Sequence, residues 1–390
     1  MSKNSNLSKA KNTKNDEFYT QYNDIEKEIQ AYLDYDPSVF QGKTILLPCD
    51  DPDWSNFTKY FTKNFEKFGL KMLISTSYAK DKSVKQGKIF VLDKDSNQDG
   101  KVDIEDLQWQ YLEGTGDFRT DEIKALRDEA DIIITNPPFS LFREFLAWIV
   151  EAKNKKQFTI IGSMNVITYK DVFPLIKDNE MWLGNGFHAG NAFFAIPIEK
   201  QYASGVFDEA TGLVKFRNCC WFTNIDHGRR HQPLQLMTMA DNLKFNKKIK
   251  DKNAYQKYDN YDAIEVPVTL AIPSDYKSIM GIPISFLDKY SPEQFEILGA
   301  TQRGCHDEVP DTKKYDDYWE MRQSGEKTGS KGGKTNENAN LEMNDGKKII
   351  LLMPKVMSFN QHINEYLFAM STPKSHKETH ANHTQYLHRC

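Results

Sequence analysis

Four short apolar runs, all before residue 162, constrain the fold most: Thr44-Ile45-Leu46-Leu47, Met72-Leu73-Ile74, Asp131-Ile132-Ile133-Ile134-Thr135 and Phe158-Thr159-Ile160-Ile161. None alternates polar with apolar residues. Each therefore reads as a strand buried on both faces, which requires helices above and below the sheet. The segments between them supply helical spacing. Ser55 stands as a cap ahead of Phe57, Tyr60, Phe61 and Phe65, and a helix carrying Ile25, Ile29, Tyr32 and Leu33 ends before Pro37. Further helices are expected over about 120–129 and 141–153. The alternation is that of an α/β protein with a mixed, mostly parallel sheet.

The rhythm breaks twice. Residues 80–112 hold a strand, Ile89-Phe90-Val91-Leu92, and a turn dense in Asp, Asn and Gly. From about residue 185 helical spacing fades while aromatic, Asn and Pro content rises, so a more β-rich region is expected over 185–322. A Gly/Lys/Asn/Ser-rich linker at 323–346, a late strand in Lys347–Met353 and a tail follow, within a closing segment of 323–390. Residues 1–15, with Lys3, Lys9, Lys11 and Lys14 and no acid, read as a disordered basic arm, which leaves 16–184 as the first domain.

Composition excludes several classes. The 390 residues suffice for two or three domains without staples. No apolar run reaches the roughly 18–20 residues of a membrane span, and the first residues lack the apolar core of a secretory signal. Five cysteines make neither a disulfide framework nor a paired zinc motif. A protein of the cytoplasm, with no membrane association, is expected. A net charge of −4 is too acidic for a purely electrostatic nucleic-acid binder. Locally, however, Lys244, Lys247, Lys248, Lys250, Lys252 and Lys257 face one Asp251. They read either as a solvated loop or as phosphate contacts.

The third apolar run ends in Asn136-Pro137-Pro138-Phe139. In open α/β sheets ligands bind beyond the carboxyl ends of strands. Two prolines stop the ladder and leave carbonyls unpaired by neighbouring amides, Asn136 adds a side-chain acceptor, and Phe139 adds an aromatic face. Two acceptors and a stacking plane suit a planar amine: the acceptors take the two N–H hydrogens and the ring covers the ring that bears them. A tight turn with Phe139 packed in the core is the competing reading.

The tetrapeptide matches the [Asn/Asp/Ser]-Pro-Pro-[Tyr/Phe] signature of S-adenosylmethionine-dependent amino-methyltransferases. With Asp16-Glu17-Phe18-Tyr19-Thr20, Cys49-Asp50-Asp51-Pro52, Ser55-Asn56-Phe57, Gly116-Asp117-Phe118-Arg119, Ile167-Thr168-Tyr169-Lys170, Trp221-Phe222-Thr223-Asn224 and Gly281–Leu287 in that order, the chain resembles the EcoRI-type adenine-specific DNA methyltransferases over about 15–300. The resemblance implies a Rossmann-like methyltransferase fold, with 16–184 as the S-adenosylmethionine-binding catalytic domain and 185–322 as a DNA-recognition region that also supplies closing elements of the fold. It implies that Asn136, Pro137, Pro138 and Phe139 are catalytic. Tyr19 and Thr20 would lie against the methionine part of the cofactor, Asp50, Asp51 and Pro52 would form the cofactor turn, and Asp117 and Phe118, with Asn136, would complete its site. Arg229, Arg230, Lys247 and Lys248 would contact double-stranded DNA. The chain departs from most such enzymes in lacking a Gly-rich loop after the first strand. No acid ends the second strand at Thr76-Ser77, so the usual ribose ligand is unassigned. A monomer is expected, with a restriction endonuclease acting on the same site but not stably bound.

The same tetrapeptide serves cytosine-N4, RNA-adenine and protein-glutamine methylation, and a catalytically silent DNA-binding subunit is the alternative outside enzymes. Asn at the first position, the large β-rich region and the completeness of the motif favour DNA adenine. Two smaller signals remain. Asp95, Asn97, Asp99, Asp103 and Asp106 with Gly100 have the spacing of a calcium loop or of a hairpin turn. The tail crowds His376, His380, His383, His388 and Cys390 without a pattern that closes a metal site. No metal is assigned.

Overall fold

A computed structural model describes residues 18–79, 86–187, 191–196, 207–249, 254–257, 262–300 and, for the backbone, 349–354. The basic arm, Lys250, Lys252, the 323–346 linker and the histidine-bearing tail lie outside the described residues. So does a second compact unit, Lys355–Cys390; everything described belongs to the first, Met1–Pro354.

In chain order the strands are β1 (Tyr19–Thr20), β2 (Thr44–Leu47), β3 (Met72–Ser77), β4 (Lys88–Leu92), β5 (Gln108–Tyr111), β6 (Ile132–Thr135), β7 (Gln157–Ser163), β8 (Trp182–Leu183), β9 (Asn191–Ala195), β10 (Phe207–Asp208), β11 (Leu213–Arg217), β12 (Cys219–Thr223), β13 (Ile264–Glu265), β14 (Met280–Pro283), β15 (Phe295–Ala300) and β16 (Ile349–Pro354). The helices used below are α1 (Tyr22–Tyr35), α2 (Asn56–Lys63), α3 (Phe65–Phe68), α4 (Asp121–Glu129), α5 (Phe142–Val150), α6 (Phe173–Lys177) and α7 (Met239–Phe245).

The four apolar runs form the parallel centre of an eight-stranded sheet, ordered β5-β4-β3-β2-β6-β7-β12-β8. Successive side chains on a strand point to opposite faces. Ile45, Leu47, Leu73, Ile132, Ile134 and Ile161 accordingly enter one core, with α1, α2 and α3. Leu46, Ile74, Ile133, Phe158 and Ile160 enter the other, with Ile123 of α4 and the α5 side chains Phe142, Phe145 and Trp148. Both faces are covered, as unbroken apolar strands require.

The sheet is mixed but not mostly parallel: three of its seven pairings are parallel and four antiparallel. At one edge the link from β3 to β4 is too short for a crossover helix, so β4 folds back and β5 follows as a hairpin. At the other edge β12 returns between β7 and β8. Because β12 comes from beyond residue 185, the β-rich stretch completes the large sheet as well as supplying three strands to each of two four-stranded sheets. These are β1-β9-β11-β10, antiparallel throughout, and β13-β14-β16-β15.

The acidic loop is the connection of the β4–β5 hairpin. Asp95 accepts from the amides of Gln98, Asp99 and Gly100, and Asp106 from those of Ser96, Asn97 and Asp103. Gly100 has φ +91°, a conformation that favours glycine. Among the described residues no group of His, Cys, Asp and Glu side chains is arranged to hold a metal, and no helix is long and apolar enough to cross a membrane.

Candidate active site

β6 delivers Asn136 to the carboxyl edge of the sheet, and the two prolines end the ladder there. The Asn136 side chain donates from Nδ2 to the Phe18 carbonyl at 2.7 Å. Its Oδ1 is buried and has no hydrogen-bond partner. Only the NH₂ end of an amide can face a carbonyl, so Phe18 dictates which end of Asn136 is left as the unmet acceptor. A buried acceptor left unpaired costs about 1–3 kcal/mol, a cost concentrated where a ligand group will satisfy it.

Phe139 opens a short 3₁₀ turn, Phe139–Leu141. Its half-buried ring lies 5.7 Å from Phe18 at 30°, and edge-on to Phe194 (6.1 Å) and Phe216 (5.7 Å). Phe194 on β9 and Phe216 on β11 belong to the small antiparallel sheet, so that sheet walls the tetrapeptide with aromatic rings. Neither residue has a local sequence signal beyond belonging to a strand; they meet Phe139 only because β1 pairs with β9.

The turn after β2 is fastened from every side. Asp50 accepts from Ser55 Oγ at 2.7 Å and from Thr135 Oγ1 at 2.7 Å, one bond to each carboxylate oxygen. Its amide donates to Thr76 O at 2.9 Å, and its carbonyl accepts from Thr58 Oγ1 at 3.0 Å and from Ser75 Oγ. Burial raises the Asp50 pKa to about 6, against the two hydroxyl donors that pull it down. Ser55 also caps α2, accepting from the amides of Phe57 and Thr58, as its position ahead of the apolar stripe indicated. Tyr19 stacks on Trp54 of the same turn, with centroids 4.2 Å apart. Asn56 Nδ2 donates to Thr20 O at 2.7 Å. The Phe18–Thr20 segment is thus held by Asn136 at one end and Asn56 at the other.

Two more buried hydroxyls, Thr20 Oγ1 and Thr76 Oγ1, have no hydrogen-bond partner. Thr76 lies where the second strand lacks its acid. Gly116, at φ +79°, brings the Gly116-Asp117 loop against the end of β3: a Cβ there would stand 2.3 Å from Ser77 O. Thr20 Oγ1, Thr76 Oγ1 and Asn136 Oδ1 are thus three buried polar atoms without a hydrogen-bond partner.

The other expected site residues make the following contacts. Asp117 accepts from Arg119 at 2.8 and 2.6 Å, and Arg119 also reaches Glu144. Phe118 is 5 % exposed and packs edge-on to Phe145 and Trp148. It offers no free stacking face because α5 covers it. Arg230 departs from its DNA-facing expectation. It is 6 % exposed, its guanidinium lies 3.9 Å from the Trp182 ring centroid, and it bonds Asn179 and Asp226. It is an internal cation, held where a phosphate cannot reach it. Arg229 is half-buried, paired with Asp288 at 2.7 Å and donating to Asn185 O. Lys247 and Lys248 are exposed. They follow Phe245, which is 60 % exposed with the Lys244 ammonium 4.9 Å from its ring centroid.

A family model described as adenine-specific methyltransferase EcoRI matches residues 6–351. The chain is 42 % identical over 302 residues to the type II methyltransferase M.EcoRI of Escherichia coli, covering 75 % of this chain and 88 % of that one. It is 34 % identical over 296 residues to the type II methyltransferase M.MpnI of Mycoplasma pneumoniae (75 % and 84 %) and 33 % identical over 299 residues to M.MgeORF184P of Mycoplasma genitalium (75 % and 85 %). No solved structure gives a significant match. The match over most of its length places the chain in the adenine-specific methyltransferase EcoRI family, and it is an adenine-specific DNA methyltransferase.

Proposed function

We propose that the protein transfers a methyl group from S-adenosylmethionine to N6 of an adenine flipped out of a specific duplex site, on a Rossmann-like methyltransferase fold. The observation that carries this reading is the buried, unpartnered Oδ1 of Asn136 at the end of β6. A target base inside the duplex cannot reach such a group, so it has to leave the stack. Asn136 Oδ1 and the Pro137 carbonyl accept from the two N6 hydrogens. As the nitrogen becomes tetrahedral, these acceptors draw its hydrogens to one side and leave its lone pair free. Phe139 covers the base, and Phe18, Phe194 and Phe216 hold Phe139 against sideways motion. When bound, the cofactor supplies an electrophilic methyl on a sulfonium. Tyr19, Thr20, Asp51 and Pro52 line its amino-acid side and Asp117 its adenine. The protein's contribution is positioning and fixed dipoles, with no covalent enzyme intermediate.

The DNA-facing set is Lys247, Lys248 and Arg229, within a β-rich recognition region. The enzyme works as a monomer in the cytoplasm. A restriction endonuclease that cuts the same site is its functional counterpart, without a stable complex. The test is methylation of genomic DNA with purified enzyme and S-adenosylmethionine, followed by sequencing that detects modified adenine; one short motif carrying N6-methyladenine is the expected result. Modified cytosine, or no modification with a melting temperature indifferent to excess cofactor, would overturn the reading.

A further inference from the structure

Asp50 stands where a cofactor ligand is expected, yet each of its polar atoms bonds inside the protein. It is 4 % exposed. One carboxylate oxygen accepts from Ser55 and the other from Thr135, each at 2.7 Å. Its amide is taken by Thr76 O, and its carbonyl by Thr58 and Ser75. What Asp50 does reach is the last residue of β6. Thr135 immediately precedes Asn136, and its hydroxyl bonds the carboxylate while its backbone pairs with β7 opposite Ile160.

The bonds close a ring. Ser55 neighbours Asn56, Asn56 binds the Thr20 carbonyl, the carbonyl of Phe18 just ahead of that strand binds Asn136, and Asn136 leads back through Thr135 to Asp50. The amide of Asn136 cannot swing without breaking its bond to Phe18, and its backbone cannot shift without straining the bond from Thr135 to Asp50. We propose that Asp50 is a positioning residue for Asn136, not a ligand of the methyl donor: it locks the strand end that presents the amine acceptor to the turn at the head of α2. The inference rests on the proposed role of Asn136.

The energetic reason is geometric. A reacting group displaced by about 1 Å can lose on the order of a hundredfold in rate. Loss of a positioning bond therefore appears at saturating substrate, whereas loss of a cofactor ligand appears in cofactor affinity.

The experiment compares Thr135→Val, Thr135→Ser and Asp50→Asn with the parent enzyme. Single-turnover methylation at saturating duplex and S-adenosylmethionine gives the rate, and calorimetry with S-adenosylhomocysteine gives affinity. Thr135→Val keeps the side-chain shape and removes only the hydroxyl, so it tests the bond even if Asp50→Asn folds poorly. The expected result is a roughly ten- to hundredfold lower rate in Thr135→Val with affinity within about threefold, and recovery in Thr135→Ser. Asp50→Asn combined with Thr135→Val should be no slower than the slower single variant, since both act on the same bond. A parent-like rate in Thr135→Val would overturn the inference. So would an Asp50→Asn variant with weakened S-adenosylhomocysteine binding and a normal saturated rate. Asn136→Ala in the same single-turnover assay tests the underlying role of Asn136 separately: a parent-like rate there would remove that reading, whatever the Thr135 variants do.

Discussion

Asn136 and Phe139 sit three residues apart and are expected to fail differently. Asn136→Ala removes an acceptor whose worth is greatest as the amine changes geometry, so its saturated rate should fall by on the order of a hundred- to a thousandfold while DNA binding holds. Phe139→Ala loses a stacking face worth roughly 1–3 kcal/mol and should capture the extruded base poorly. A mismatch opposite the target adenine makes flipping cheaper. It should partly rescue Phe139→Ala and do little for Asn136→Ala; equal rescue in single-turnover assays would refute that division of labour. Asp50 makes a prediction about pH. Its folded pKa of about 6 exceeds the ordinary carboxylate value of 3.8. Between those values the folded protein binds a proton the unfolded chain has released, so Asp50's contribution to stability falls as pH rises through that window and is constant above it. Melting temperatures of the parent minus those of Asp50→Asn, followed from pH 4 to 7, should decline across the window; a flat difference would contradict the shift. At this scale the legible part was local. Asn136-Pro137-Pro138-Phe139 and the cap Ser55 are contiguous patterns. Arg230 misled because an Arg-Arg pair in a polar stretch looks like a surface patch, and nothing in the sequence places Trp182 above it. The orphan hydroxyls of Thr20 and Thr76 likewise depend on neighbours far along the chain.

Among the elements, α5 is the one that positions the tetrapeptide from behind. It begins one residue after the Phe139–Leu141 turn, and its Phe142 ring fills the space above Gly162 on β7. A Cβ at Gly162 would stand 2.4 Å from that ring. Gly162→Ala should therefore push α5 outward, cost about 1–3 kcal/mol of stability and slow methylation with cofactor affinity little changed. Denaturant unfolding beside single-turnover assays checks it, and an unaltered midpoint would show that α5 yields freely. The segment after α7 carries the electrostatic prediction. If Lys247 and Lys248 touch phosphates, replacing both with Gln should reduce the salt slope of DNA affinity by about two units while leaving sequence preference intact. An unchanged slope returns them to a solvated face. The strands and helices of the parallel centre were legible because burial on both faces leaves an unbroken apolar signature. The antiparallel edges were not: strand direction follows from the length of the connection, which the apolar runs do not encode.

Across the whole molecule, three sheets share the described residues, and each depends on a strand brought from a distance. β1 joins β9, β12 joins β7, and β16 joins β14 and β15. Long-range pairing of this kind explains why the α/β class could be read from the first half of the chain while the division at residue 185 could not be drawn as a clean boundary. It also predicts where the chain tolerates shortening. A variant ending after Pro354 keeps every described strand, whereas one ending after Gly346 loses β16. The longer one should stay soluble and active and the shorter one aggregate, measured by light scattering and methylation of one DNA substrate; equal behaviour would mean that β16 contributes nothing to the fold.

The position of β16 also has a consequence in time. Registers from Met280↔Leu352 to Pro283↔Ile349 tie it to β14, and registers from Phe295↔Pro354 to Ala300↔Ile350 tie it to β15. The ribosome makes both of those partners before it makes the strand that joins them. Until residues 349–354 are added, β14 and β15 exist with the place between them vacant, each with a row of backbone groups awaiting a neighbour. The large sheet, whose last strand is complete by Thr223, can form well before that. A stalled or prematurely ended translation product would thus carry a finished large sheet beside an unfinished one, open to pairing with another nascent chain.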